Sequence, residues 1–197
     1  MRILIISLPR TGSTSLVKGL SESLEIECLI QPFSKYIWGE SVINEIPNHN
    51  DLIVKTLINE YPSSCDDMIS FYNNLITQFD KTILLTRKDL KLCAESYGYH
   101  LKHSSHEFWH KPYNYTSYDI DIDYYINLLN DLNGKLDILS KKNNISLDYY
   151  EQIFGGDVNL VEDFLIKHNI KLKNDKLFSY TSPVNKLRKL DFINKFI

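Results

Sequence analysis

The chain opens with an uninterrupted aliphatic run, Arg2 to Ser7, closed by Leu8-Pro9 and followed at once by a turn rich in Gly, Ser and Thr. No other feature constrains the fold as tightly. A strand that is apolar on both faces needs cover on both faces. The turn leads into a helical stretch, Ser13 to Leu24, with Leu16, Leu20 and Leu24 along one side. Strand, turn and helix in that order begin a parallel βαβ unit. Further strands are expected at Ile26–Ile30, Asp51–Thr56, Lys81–Arg87 and Ile145–Tyr149. Helical spacing predicts helices over Ser63–Phe79, Asp89–Leu101, Ile120–Lys142 and Val158–His168, and a loop with a short helix over 31–50. The predicted class is α/β, with a central parallel sheet of about five strands flanked by helices.

A chain of 197 residues is the size of one domain, so a single domain over 1–197 is expected. Its net charge of −3 spreads no basic field over the surface, so neither nucleic acid nor an anionic membrane is an expected partner. Any anion site must be local. The three cysteines, Cys28, Cys65 and Cys93, are far apart and form no CxxC unit, which points to reduced thiols. No apolar run approaches the length of a membrane span. With the first strand beginning almost at Met1, no signal peptide is expected and the predicted location is cytoplasmic.

The local site is Pro9-Arg-Thr-Gly-Ser-Thr-Ser15, between the first strand and its helix. Gly12 permits torsions and close approach that a side chain would block. Ser13, Thr14 and Ser15 offer hydroxyls together with the unpaired N–H groups of a first helical turn. Arg10 adds a fixed charge that can fork onto oxyanions. An ordinary turn with a Ser/Thr cap would need only the Gly-Ser pair. The nucleoside-triphosphate loop G-x-x-x-x-G-K-[ST] differs, having a second glycine and a Lys before the Ser/Thr that holds magnesium. No strand ends in the lone acidic residue that completes such a metal site; Asp148, the nearest candidate, lies within its strand.

Pro9-Arg-Thr-Gly-Ser-Thr14 resembles, position for position, the 5′-phosphosulfate loop P-[KR]-[ST]-G-[ST]-[ST] of the sulfotransferase superfamily. The form with Arg is the style of tyrosylprotein and of bacterial or viral carbohydrate-type sulfotransferases. Ile83-Leu-Leu-Thr-Arg-Lys-Asp-Leu-Lys-Leu-Cys-Ala-Glu-Ser96 is similar to the family's 3′-phosphate element, with Arg87 and Ser96 as the matched pair. Their spacing of nine follows the bacterial trehalose-type enzymes rather than the cytosolic ones, in which it is eight. Leu147-Asp-Tyr-Tyr-Glu-Gln-Ile153 resembles the Y-E-x-L that follows the family's last strand.

The resemblance covers residues 1–170 and implies a three-layer, P-loop-like fold. It implies in-line transfer of a sulfuryl group from 3′-phosphoadenosine 5′-phosphosulfate to a hydroxyl of a glycan or small-molecule acceptor. Thr11, Gly12, Ser13, Thr14 and Ser15 would hold the 5′-phosphate, and Arg87 with Ser96 the 3′-phosphate. Arg10 would stabilise charge on the leaving phosphate. Lys186 and Arg188, in the C-terminal basic segment 175–197, would add to the 3′-phosphate site, although a solvated basic end is an equal reading of those two. No metal is expected, because sulfuryl carries less charge than a terminal phosphoryl and fixed cations and N–H dipoles can serve it.

A general base is also expected, to take the acceptor's proton. Family members place a His in a K-T-H segment or a Glu in E-P-F after the second strand. Here Lys55-Thr-Leu57 and Ile30-Gln-Pro-Phe33 put Leu57 and Gln31 in those places. Lys55 remains as a candidate contact to the sulfuryl oxygens. Glu40 is the substitute base, with His100, His103, His106 and His110 as alternatives; no carboxylate or Cys pattern makes a zinc site of those histidines. They lie in an aromatic stretch, whose segment 103–118 analogy places along the acceptor. Two rival functions stay open: a P-loop kinase using ATP with magnesium, and a nucleotide-binding module without catalysis.

Overall fold

The computed structural model describes residues 1–34, 46, 50–102, 120–155 and 157–177. Five strands, β1 (Arg2–Ser7), β2 (Cys28–Ile30), β3 (Leu52–Leu57), β4 (Lys81–Thr86) and β5 (Leu147–Tyr149), form one sheet. Six helices accompany them: α1 (Ser13–Leu24), α2 (Met68–Ile76), α3 (Leu90–Lys102), α4 (Ile122–Asn143), α5 (Tyr150–Phe154) and α6 (Val158–Lys167).

The strand order is β2-β3-β1-β4-β5 and every pairing is parallel. β1 is therefore central, which is why its apolar run has no polar interruption: Ile3 to Ile6 are fully buried. Alternation splits the sheet's side chains between two cores. Leu4, Ile6, Leu52, Val54 and Leu84 pack with α2, α3 and α4, whereas Ile3, Ile5, Ile53, Ile83 and Leu85 pack with α1, α5 and α6. Helices thus cover both faces in the three-layer, P-loop-like α/β fold. The chain leaves β1 toward β2 and leaves β4 toward β5, so the topological switch lies between β1 and β4. Ligand crevices open there, beyond the carboxyl ends of the strands.

β2 and β5 each begin two residues later than expected, and for the same reason. Ile26 and Ile145 look like strand residues, yet each closes the preceding helix. Ile26 N–H donates to the Ser21 carbonyl, and Ile145 N–H to that of Ser140. Each follows a residue in the left-handed region, Glu25 (φ 55°) or Asn144 (φ 53°). Asn169 (φ 48°) and Ile170 close α6 in the same way. These are helix stops built without glycine, so the apolar residue after each reads falsely as a strand start.

α2 is shorter than the predicted Ser63–Phe79. Asp67 caps it by accepting from the N–H groups of Ile69 and Ser70, which fixes its start at Met68. α5 was not expected as a separate helix. Gln152 Oε1 accepts from Tyr149 N–H at its start, giving it a cap of its own.

Candidate functional site

The loop after β1 leaves the strand through Leu8, whose N–H donates to the Leu85 carbonyl of β4 at 3.1 Å. Two left-handed residues, Arg10 (φ 60°) and Gly12 (φ 66°), then turn the chain into α1. The first intrahelical bond runs from Leu16 N–H to the Gly12 carbonyl, so the N–H groups of Ser13, Thr14 and Ser15 form the open first turn.

Its hydroxyls divide into two kinds. Thr11 is fully buried and donates to the Leu8 carbonyl at 2.9 Å, bracing the loop from inside. Ser13 is also buried, and its Oγ accepts from Ser7 Oγ at 2.9 Å. Only Thr14, exposed, and Ser15, half-buried, carry hydroxyls on the outer side of the turn. Gly12 has a role beyond its torsion. A Cβ there would lie 2.7 Å from Phe154 Cε2 and 2.9 Å from Tyr150 Cε2, so the missing side chain makes room for α5.

Among the described residues, Arg10, Arg87 and Ser96 meet, in an arrangement different from the expected pairing. Ser96, from α3, accepts a hydrogen bond from Arg10 Nε at 2.8 Å rather than from Arg87. Arg87 lies beneath the loop and donates from Nη1 to the Arg10 carbonyl at 3.3 Å. Its guanidinium stacks 4.4 Å over the Tyr150 ring, and Tyr150 stacks in turn on Phe154 with centroids 4.8 Å apart. The Arg87 side chain is 13% exposed and lies 3.8 Å from Glu151. Its buried Nε has no hydrogen-bond partner among the described residues. Glu151 accepts from the N–H groups of Lys88 and Asp89, fastening α5 to the start of α3. Cys93 donates to the Pro9 carbonyl at 3.1 Å, and burial pushes its thiol up to about 11, as for an unreactive packing cysteine.

Lys55 lies at the carboxyl end of β3, level with Ile5 of β1 and Ile30 of β2. It is only 3% exposed, and burial lowers its amine to about 8 against the opposing pull of nearby Glu60. Glu60 was not expected. It is half-buried in the turn after β3, and it interacts with Gln31 and Leu57, the two residues that stand where the resemblance would put a base. Gln31 Nε2 donates to Glu60 Oε1 at 2.5 Å, and Leu57 N–H donates to Oε2 at 3.1 Å. Burial raises its carboxyl above the ordinary range, against the lowering effects of the Leu57 N–H, Lys55 and Gln31. The available sequence signal was an acidic residue in the turn directly after K-T-L.

His100, one turn beyond Ser96 on α3, is held below the usual imidazole value by burial and by the charge of Arg10. Glu40, Lys186, Arg188, His103, His106, His110, and the segments 103–118 and 178–197 lie outside the described residues. Asp148 is committed elsewhere: buried at 2% exposure, it pairs with Lys167 at 2.6 Å and His168 at 2.8 Å. Among the described residues, no three His, Cys, Asp or Glu side chains gather as a possible metal site. Among the same residues, no helix is long and apolar enough to cross a membrane.

Fold and loop together define a P-loop-like α/β protein with an arginine-bearing turn at its topological switch. The chain matches no family model and no curated protein. Among solved structures it is similar to the YorR protein of Bacillus subtilis, crystallised in complex with phosphorylated GDP. The identity is 12% and the TM-score 0.44, over 85% of this chain and 96% of that one.

Proposed function

We propose that the protein binds a nucleotide at the loop between β1 and α1 and is a sulfotransferase. It would move the sulfuryl group of 3′-phosphoadenosine 5′-phosphosulfate to a hydroxyl of a glycan or small-molecule acceptor. The observation that carries this reading is the Arg10–Ser96 hydrogen bond. It joins two motifs 86 residues apart, each matched separately to the donor-binding elements of one family.

In this reading the open N–H groups of Ser13 to Ser15, with the Thr14 and Ser15 hydroxyls, hold the 5′-phosphate. Arg10 turns its guanidinium to the bridging oxygen, where negative charge grows as the S–O bond breaks. Ser96 and Arg87 serve the 3′-phosphate, Ser96 by direct contact and Arg87 by charge from beneath the loop. The ammonium form of Lys55 faces the sulfuryl oxygens.

Thermal-shift titration tests the binding claim. With 3′,5′-diphosphoadenosine at a hundred times its Kd, and no magnesium, the protein should gain about 2.7 kcal/mol of stability. A response to ATP with magnesium alone would replace this reading with a kinase. Labelled donor offered with a panel of hydroxyl acceptors tests the transfer claim. Tight diphosphate binding without any transfer would leave a binding module and no enzyme.

A further inference from the structure

We propose that Glu60 is the proton acceptor for the acceptor hydroxyl, in place of the His and Glu that Leu57 and Gln31 displace. This rests on the sulfotransferase reading and adds to it a residue outside the family's usual positions.

The geometry carries the argument. Glu60 Oε1 is held by Gln31 Nε2, and Oε2 by Leu57 N–H, so the carboxylate is fixed between the ends of β2 and β3. Each oxygen receives one of these bonds and retains a second lone-pair direction for a hydroxyl proton. Gln31 is itself fixed in the left-handed region (φ 54°), with its N–H donating to the Lys55 carbonyl at 2.6 Å. It acts as a positioning residue that aims the carboxylate. The turn is held from behind by Tyr72 of α2, whose single hydroxyl proton is shared between the Leu57 carbonyl, at 2.6 Å, and the Glu60 carbonyl.

One helix ties this turn to the donor loop. Adjacent residues of α3 touch both: Ser96 accepts from Arg10, and Tyr97 is hydrogen-bonded to Asn59, next to Glu60. Arg10 and the turn that carries the carboxylate therefore border the same stretch of α3.

The charged and titratable groups facing Glu60 are Lys55 from β3, Tyr97 from α3 and Tyr72 from α2. Lys55 favours the carboxylate and burial opposes it, with burial the larger effect. A base raised toward neutrality accepts a proton more readily than an ordinary carboxylate would. In the transfer step, the acceptor O–H proton passes to Glu60 as the acceptor oxygen bonds to sulfur. The bond from sulfur to the bridging oxygen breaks, and its electron pair leaves with 3′,5′-diphosphoadenosine. Glu60 then returns the proton to water.

The test compares wild type with Glu60→Gln and Glu60→Asp in labelled-donor transfer across pH, alongside calorimetric titration with 3′,5′-diphosphoadenosine. Glu60→Gln should bind the diphosphate within about twofold of wild type. Its kcat should fall by about 10²–10⁴, and the acid limb of the pH profile should disappear. Glu60→Asp should recover part of kcat together with an acid limb. Equal turnover by wild type and Glu60→Gln would overturn the assignment while leaving the sulfotransferase reading standing. So would a Glu60→Gln profile that keeps the acid limb. If wild type binds the diphosphate but transfers to no acceptor, the sulfotransferase reading fails and the base role falls with it.

Discussion

The carboxyl edge of the sheet is built in two different ways. On the β1–β4 side, one continuous segment, Pro9 to Ser15, supplies the loop, and its supports are aromatic and cationic. Arg87, Tyr150 and Phe154 stack in series beneath it. On the β2–β3 side the groups are not consecutive: Gln31 comes from the turn after β2, Lys55 from β3 and Glu60 from the turn after it, and they meet through hydrogen bonds and charge. The first region is held by packing, and its charges are the guanidinium groups of Arg10 and Arg87. The second holds a buried amine and a half-buried carboxyl, both displaced toward neutral pH. A fixed grip suits an anion that must be held still, and a titratable pair suits a proton that must move.

Arg10→Ala tests the first region most severely. Removing a donor aimed at developing charge costs about 3–4 kcal/mol in transition-state stabilisation, or about 10²–10³ in kcat. Glu60 and Lys55 lie outside the loop, so their titration should not change. Transfer assays paired with NMR titration check both halves, and unchanged turnover would remove Arg10 from the chemistry.

Lys55→Met addresses the second region and has the opposite sign for stability. Burial lowers the folded-state pKa from 10.5 to about 8. Between those values the unfolded chain binds more protons than the folded one, so wild-type stability should rise as pH climbs from about 8 to 10.5. At neutral pH the buried ammonium is a cost, and a shift of this size corresponds to at most about 3 kcal/mol. Lys55→Met should raise stability at pH 7 by up to that amount, flatten the alkaline rise and lower transfer. Denaturant melts across pH measure the slope. A variant less stable than wild type at pH 7 would mean that Lys55 is well paired rather than poised.

The same contrast explains what could be read from the residues in order. The β1 run, its turn and α1 are consecutive, so local pattern alone singled out the loop, whereas Arg87 and Ser96 came from the resemblance of one strand–helix segment to a family element. The pattern could not say that Ser96 would meet Arg10, because that contact depends on how α3 packs across the end of β1. Glu60 was less legible still. Leu57 and Gln31 register in the sequence only as missing bases, and only folding brings both onto one carboxylate. Boundaries misread for a local reason: Ile26 and Ile145 have the side chains of strand residues, but a left-handed residue before each assigns their N–H groups to a helix end.

Gly12→Ala has the smallest expected effect and isolates the link between loop and aromatic support. The left-handed torsion costs an alanine about 1 kcal/mol. The new Cβ must also displace the Phe154 and Tyr150 rings from 2.7 and 2.9 Å, an overpacking cost of about 1 kcal/mol or more. Loss of about 2 kcal/mol in denaturant melts is expected, with weaker diphosphate binding and no change in Glu60 titration. Phe154→Leu should relieve the overpacking but not the torsion. The double variant should therefore be more stable than the sum of the two single losses by about 1 kcal/mol. Strict additivity would show that Gly12 is required for its torsion alone and that the aromatic shelf tolerates a side chain above it.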